Sequence, residues 1–290
     1  MKAWIAIASL IVTGCTSGGR YDPLINDPPP IEPPPTNVEV QFVSDGARLP
    51  GYLMLAGGQG AQPTVLLLHG YPGNEKNLDL AQTLRRAGLH IMFIHYRGAW
   101  GAEGEFSFLN IHEDALAALT FLRAHARQYR IDADRLIVIG HSMGGLAALR
   151  TVAADREVYC GVGLAAANFG GYASRSAEQK AAFARYSDQL FMLDDWSGAK
   201  AIAEIEQNAS DFDLGRLGPR LGERAMLLVS GTEDSVVPLS VQRDLAARWG
   251  DDVPRLTAIE IPGDHSFAGQ RLALQRHVVS WVQSACLETQ

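Results

Sequence analysis

Apolar and polar residues alternate over positions 38–44 (VEVQFVS), the period-two pattern of a half-exposed strand. Asp45-Gly46 is a turn pair, and positions 49–55 continue as a second strand, so the two predict a hairpin. The pattern then changes. Apolar runs at 64–68, 90–95, 136–139, 161–166 and 225–229, and the more mixed stretch 256–261, read as short strands. Runs without polar alternation suit strands covered on both faces, as in a parallel sheet. Segments with helical spacing separate them: 78–87, closed by Gly88; 110–129, with Leu116, Leu119 and Leu122 inward; a helix opening at 146–149; one near 240–249; and a last one through Val282. Buried strands alternating with helices predict an α/β fold, a mostly parallel central sheet with helices on both faces. Positions 168–222 break the rhythm and read as a small helical, lid-like insert after the sixth strand. There is no internal repeat, and no dinucleotide-binding glycine fingerprint follows the first buried strand.

Upstream of Val38 the chain is of another kind. Residues 15–37 include PPPIEPPP, which favours an extended, semi-rigid spacer. Residues 1–14 carry Lys2 and an apolar stretch from Trp4 to Val12, too short to span a bilayer and suited to a secretory signal. Val12-Thr13-Gly14-Cys15 resembles the lipobox of bacterial lipoproteins, which implies that Cys15 becomes a lipidated first residue. Thr16 follows it where Asp would signal inner-membrane retention, so the resemblance to Gram-negative lipoproteins implies an outer-membrane anchor facing the periplasm. The expected partners are therefore a membrane, through that anchor, and a small acyl substrate. The composition, 47% hydrophobic and 20% charged, is that of a globular domain with a sizeable core, here spanning 38–290. A net charge of −7 gives no basic footprint for nucleic acid. In an exported chain Cys160 and Cys286 could form one disulfide, but they lie far apart and each reads as a buried small apolar residue, so free thiols are the preferred reading.

Candidate chemistry centres on positions 135–150, RLIVIGHSMGGLAALR. An apolar strand runs into Gly140-His141-Ser142-Met143-Gly144 and then a helix, the setting of a nucleophile elbow. The pentapeptide alone is a weak signal; strand before and helix after make it strong. A serine hydroxyl needs a base to take its proton, and the base needs a carboxylate to hold its tautomer. On elbow-bearing sheets the chain order is serine, acid, histidine. Only His265 and His277 follow Ser142. His277 falls within the last helix, whereas His265 lies in a loop directly after a strand, where such sheets place their sites. Asp234, in the loop GTEDSVVP, is the preferred acid over its neighbour Glu233 and over Asp264, which adjoins His265. Oxyanion donors are expected from the backbone amides of Met143, just after the nucleophile, and Tyr71, in HGYPG after the first buried strand. Pro72 has no amide hydrogen to offer. Tyr71 and Trp100 are candidates for the substrate pocket. The insert carries Phe169, Tyr172, Phe183, Tyr186, Phe191, Trp196 and Phe212, which read either as pocket wall or as the core of its helices. No HExxH and no clustered Cys/His spacing points to a metal, and no cofactor is expected.

The four motifs HGYPG, GHSMGG, GTEDSVVP and GDHSF occur in the order found in α/β hydrolases, and from Val38 onward the chain resembles that superfamily. Within it, the N-terminal hairpin and the loop YRGAWGAEGEFSF resemble the serine branch near dienelactone hydrolases and the catalytic domains of prolyl oligopeptidases. Dienelactone hydrolases use cysteine where this chain has Ser142, and His95 stands where many relatives carry Asp. No propeller-forming repeat precedes the domain. The resemblance implies hydrolysis of a carboxylic ester or thioester through an acyl-enzyme, with peptidase or amidase action and a catalytically silent envelope-binding role as the alternatives.

Overall fold

In the computed structural model, which describes residues 21–288, the opening alternation folds as a hairpin. Strand β1 (Thr36–Ser44) pairs antiparallel with β2 (Ala47–Leu55), and Ser44 faces Ala47 across the turn. Asp45 and Gly46 both take positive φ, 46° and 81°, which suits a two-residue turn matched to strand twist. The apolar runs become β3 (Gln62–Leu68), β4 (His90–Ile94), β5 (Ile131–His141), β6 (Cys160–Leu164), β7 (Ala225–Gly231) and β8 (Leu256–Ile261). They form one eight-stranded sheet in the order β1-β2-β4-β3-β5-β6-β7-β8, in which β2 alone runs against the rest.

Helices α1 (Leu78–Arg86), α2 (Asn110–Ala124), α3 (Ala126–Tyr129) and α4 (Met143–Ala154) lie between the strands. The insert supplies α5 (Ala177–Ser187), α6 (Gly198–Gln207) and α7 (Gly218–Leu221), and α8 (Leu239–Trp249) and α9 (Arg271–Trp281) complete the chain. The single helix expected over 110–129 divides at His125, whose φ of −108° and ψ of 16° leave the helical region. Alternate residues of each inner strand enter opposite cores. Leu66, Leu68, Met92, Ile94 and Val138 pack with α2, α4 and the insert. Val65, Leu67, Ile91, Phe93 and Ile139 pack with α1 and α9. The unbroken apolar runs follow directly: neither face of these strands meets water. Among the described residues, no helix is long and apolar enough to cross a membrane.

Two expectations change. Cys160, at the start of β6, and Cys286, just beyond α9, are not free thiols but a disulfide with Cα atoms 6.0 Å apart. Both are buried, and burial alone fits a free thiol as well as a bridge. What decides is that α9 returns its end to the strand edge where Cys160 starts, a proximity of residues 126 apart in sequence. The proline-rich stretch, expected to stand free as a spacer, is laid against the domain over its described part. The Tyr21 hydroxyl donates to the Arg86 carbonyl at 2.7 Å, Arg86 Nε donates to the Pro23 carbonyl at 2.6 Å, and the Gly58 amide donates to the Pro33 carbonyl at 2.8 Å. The signal segment 1–14 and Cys15 lie outside the described residues.

A bridge closing so long a loop restricts the unfolded chain, and its loss is expected to cost about 2–4 kcal/mol. Cys160→Ser and Cys286→Ser should each lower the urea midpoint, and reductant should bring the wild type to the same value. A wild-type midpoint indifferent to reductant would show that the bridge contributes nothing.

Candidate active site

Strand β5 ends at His141, and Ser142 follows it as the residue that caps the start of α4, with φ 57° and ψ −119°. That backbone region is essentially reserved for glycine and is held only where the surroundings impose it. Three hydrogen bonds do so: the Ser142 amide donates to the Leu164 carbonyl at 2.9 Å, and the Ser142 carbonyl accepts from Leu146 at 3.1 Å and Ala167 at 2.9 Å. The flanking glycines are required by contact. A Cβ on Gly140 would lie 1.9 Å from the Gly144 carbonyl oxygen, and a Cβ on Gly144 would lie 2.2 Å from that of Leu68. Strand β3, the elbow and α4 therefore approach more closely than any side chain allows.

Asp234 and His265 arrive on the loops after β7 and β8. His265 Nδ1 lies 2.7 Å from Asp234 Oδ2, and the carboxylate's other oxygen accepts the amides of Val236 and Val237, each at 2.8 Å. Because Nδ1 donates to a carboxylate, Nε2 is left as the proton acceptor. The Asp234 side chain is 1% exposed. Glu233 points to solvent, Asp264 is exposed and accepts the amides of Ser266 and Ala268, and His277 is exposed on α9, so none of the three competes by geometry. Ser142, Met143, His265 and Tyr71 open on one cavity of ≈860 Å³.

The loop after β3 meets the elbow from the other side: a Cβ on Gly70 would lie 3.1 Å from the Ser142 Cβ. His69 Nδ1 donates to the Gly70 carbonyl at 2.8 Å. That carbonyl and the Tyr71 amide belong to one planar unit, so fixing the oxygen fixes the direction of the opposed N–H. No acceptor among the described residues engages the Tyr71 amide. The Met143 amide, at the first position of α4, has no partner within its helix. His69 is fully buried, which pushes its pKa down to about 3, so the ring is neutral.

His141 was not singled out by the sequence. Its Nε2 donates to the His265 carbonyl at 2.7 Å, with ring centroids 4.8 Å apart. Burial lowers its pKa to about 4. It is simply the variable position of the elbow pentapeptide, and only its neighbour in space reveals its contact.

The pocket expectations divide. Tyr71 lines the cavity, but Trp100 does not. The Trp100 ring stacks on His95 with centroids 6.1 Å apart, lies under Lys76 Nζ at 5.0 Å, and donates its indole N–H to the Pro72 carbonyl at 2.7 Å. A place in a strand-end loop put Trp100 near the site but did not fix which side its ring would take. Of the insert's aromatic residues, Phe169, Tyr172, Phe183 and Tyr186 wall the cavity. Phe212 is buried in the core, Trp196 packs edge-on against Phe106 and Phe108, and Phe191 is 92% exposed. Among the described residues, no three His, Cys, Asp or Glu side chains converge as a metal site requires.

Fold and site together define an α/β hydrolase architecture, and residues 65–274 match the model of the alpha/beta hydrolase family, to which the chain belongs. No curated protein sequence matches it. Among solved structures it is similar to a 2,6-dihydroxy-pseudo-oxynicotine hydrolase, with 18% identity, a TM-score of 0.67, and coverage of 87% of this chain and 69% of that one. It is similar to an esterase of Butyrivibrio proteoclasticus determined with ferulic acid bound, with 17% identity, a TM-score of 0.65, and coverage of 85% and 98%. It also resembles a Pyrococcus horikoshii acylaminoacyl peptidase, with 14% identity, a TM-score of 0.68 and coverage of 89% of this chain but 43% of that one. At such identities the likeness is one of fold.

The close contacts at the elbow generate a stability prediction. Gly144→Ala places a methyl group into the Leu68 carbonyl and should cost more than about 2 kcal/mol. Gly269→Ala, where a Cβ meets nothing within 4 Å, should stay within about 0.5 kcal/mol of wild type. Equal thermal midpoints for the two variants would contradict the contact argument.

Proposed function

We propose that this chain is a serine hydrolase of carboxylic esters, with Ser142 as nucleophile, His265 as base and Asp234 as the orienting acid. The observation that carries this reading is the 2.7 Å His265–Asp234 contact in a cavity that also holds Ser142. His265 Nε2 takes the proton as Ser142 Oγ bonds to the substrate carbonyl carbon, and the carbonyl electrons move onto oxygen. The Tyr71 and Met143 amides receive that oxyanion. Collapse breaks the bond to the leaving alkoxide, which takes the proton from His265. Water, deprotonated by the same ring, then attacks the acyl-enzyme and releases the acid. The aromatic and aliphatic walls favour an apolar acyl or alcohol group, and an ester presents a weaker bond than an amide. The N-terminal hairpin and the loop YRGAWGAEGEFSF, which resemble the serine branch near dienelactone hydrolases and prolyl oligopeptidase catalytic domains, support this reading.

Ser142→Ala should fold normally and lose nearly all turnover of p-nitrophenyl esters and all labelling by a fluorophosphonate. Asp234→Asn should lower kcat by a factor on the order of 10³–10⁴, far more than Glu233→Gln or Asp264→Asn. Activity in Ser142→Ala within tenfold of wild type would overturn the assignment. Preferential turnover of aminoacyl anilides would replace the esterase reading with a peptidase one.

The proposal extends to location: Cys15 carries the lipid, and the domain sits at the periplasmic face of an outer membrane. Tyr21 is docked on α1, and the six links from Cys15 reach at most about 20 Å, so the α1 side lies close to the bilayer. Wild type should fractionate with membranes and Cys15→Ser should not, with activity per molecule unchanged. A wholly soluble wild type with an unmodified N-terminus downstream of Cys15 would refute the anchor and leave the catalytic argument intact.

A further inference from the structure

We infer that the insert is part of the oxyanion apparatus: Ser187 and Trp196 are positioning residues that hold the Tyr71 amide in place through the Tyr71 side chain. The inference rests on the serine hydrolase reading above. Tyr71 has two ends with different duties. Its amide is held from the sheet side by His69. Its hydroxyl lies under the insert, where it donates to Ser187 Oγ at 2.8 Å and accepts the indole N–H of Trp196 at 2.7 Å. Burial pushes its pKa up to about 12, so it remains a neutral donor. With both partners engaged, the hydroxyl is not free to bind an oxyanion itself. The ring packs against both Phe106 and Phe108 of the loop after β4, with centroids at 6.0 and 5.2 Å, and Trp196 packs edge-on against the same two rings. Ser187 and Trp196 do not line the cavity, so neither touches substrate.

A second arm reaches the next residue. The Pro72 carbonyl accepts the Trp100 indole N–H, and the Trp100 backbone amide donates to Met192 of the insert at 2.8 Å. Ala99 bridges Leu193, and the Asp194 amide donates to Gly98 at 2.7 Å. The loop and the insert thus form one strip, and its aromatic N–H groups grip both Tyr71 and Pro72. If the insert lifts, both grips on the oxyanion loop go with it. A substrate that seats the insert against the cavity also completes the donor that receives its oxyanion.

The roles separate kinetically. Misplacing a donor by a fraction of an ångström weakens transition-state binding and leaves ground-state contacts in place. With p-nitrophenyl butyrate as probe, Ser187→Ala, Trp196→Phe and Tyr71→Phe should each lower kcat roughly 10- to 100-fold with KM within about threefold. Affinity for a trifluoromethyl ketone, which forms an oxyanion on Ser142, should fall in parallel with kcat/KM. Ser187→Thr, which keeps the acceptor, should restore most of the rate. Combining Tyr71→Phe with Trp196→Phe should cost little more than either alone, because they remove one contact. Should Trp196→Phe fail to fold, the Ser187→Ala and Ser187→Thr pair carries the comparison. A lowered thermal midpoint with unchanged kcat, or a raised KM with unchanged kcat, would overturn the clamp. Tight ketone binding in wild type and equally tight binding in these variants would overturn the clamp alone. No ketone binding in wild type would overturn the serine reading and the clamp with it.

Discussion

The backbone of Ser142 is the constraint on which the rest depends. A conformation of this kind costs on the order of 1–3 kcal/mol, and isolated it would relax. It persists because the exit of β6 binds it from one side and the first turn of α4 from the other. Glycines at 140 and 144 let β3 and α4 close over it. The strain positions the hydroxyl at the mouth of a cavity, 9% exposed, and leaves the first amide of α4 without a helical partner. The placement of the Ser142 hydroxyl, the Met143 amide left without a helical partner and the close approach of the β3 loop are thus consequences of one turn. Asp234 and His265 need only arrive at the adjoining strand ends, which the parallel order β5-β6-β7-β8 ensures.

Much of this was readable because it is written locally. Strand runs follow from burial on both faces, and the elbow is contiguous. Chain order alone reduced eight histidines to two candidates, and loop position selected His265. Asp234 over Glu233 was a choice between adjacent residues; in the structure Asp234 is buried against His265 and Glu233 is exposed. What sequence did not carry is orientation across space. Trp100 was placed in the right loop, but its ring braces Pro72 instead of walling the cavity. Cys160 and Cys286 read as small apolar residues because pairing across 126 positions leaves no local mark. The proline tract has an extended composition whether it stands free or lies against a domain, and the Gly58 amide on the Pro33 carbonyl decides for the latter.

The insert shows the same division within one segment. Its aromatic residues share a composition but not a role: four face the cavity, Phe212 fills the core, and Trp196 spans from the loop aromatics to the Tyr71 hydroxyl. Apolar burial fixes the first two groups without direction, since packing area is indifferent to orientation. The indole N–H adds direction, because a buried donor left unpaired costs about 1–3 kcal/mol. Polar atoms on large rings therefore register the insert against the loop after β3, where packing alone would allow it to slide.

The same reasoning bears on charge at the site. Four histidines lie close together at the strand ends: His69 and His95 with ring nitrogens 3.3 Å apart, and His141 beside His265. Burial lowers the pKa of His69 to about 3 and those of His95 and His141 to about 4. All three are therefore neutral at any pH well above 4, and each ring can give one N–H and keep one lone pair. A second imidazolium 4.8 Å from His265 would oppose the positive charge that His265 would gain in the proposed reaction. Holding His141 neutral removes that opposition while keeping its donated hydrogen bond. Of the four, His265 alone is bonded to a carboxylate, so in the proposed reaction a proton taken from Ser142 would have one ring whose positive charge is compensated.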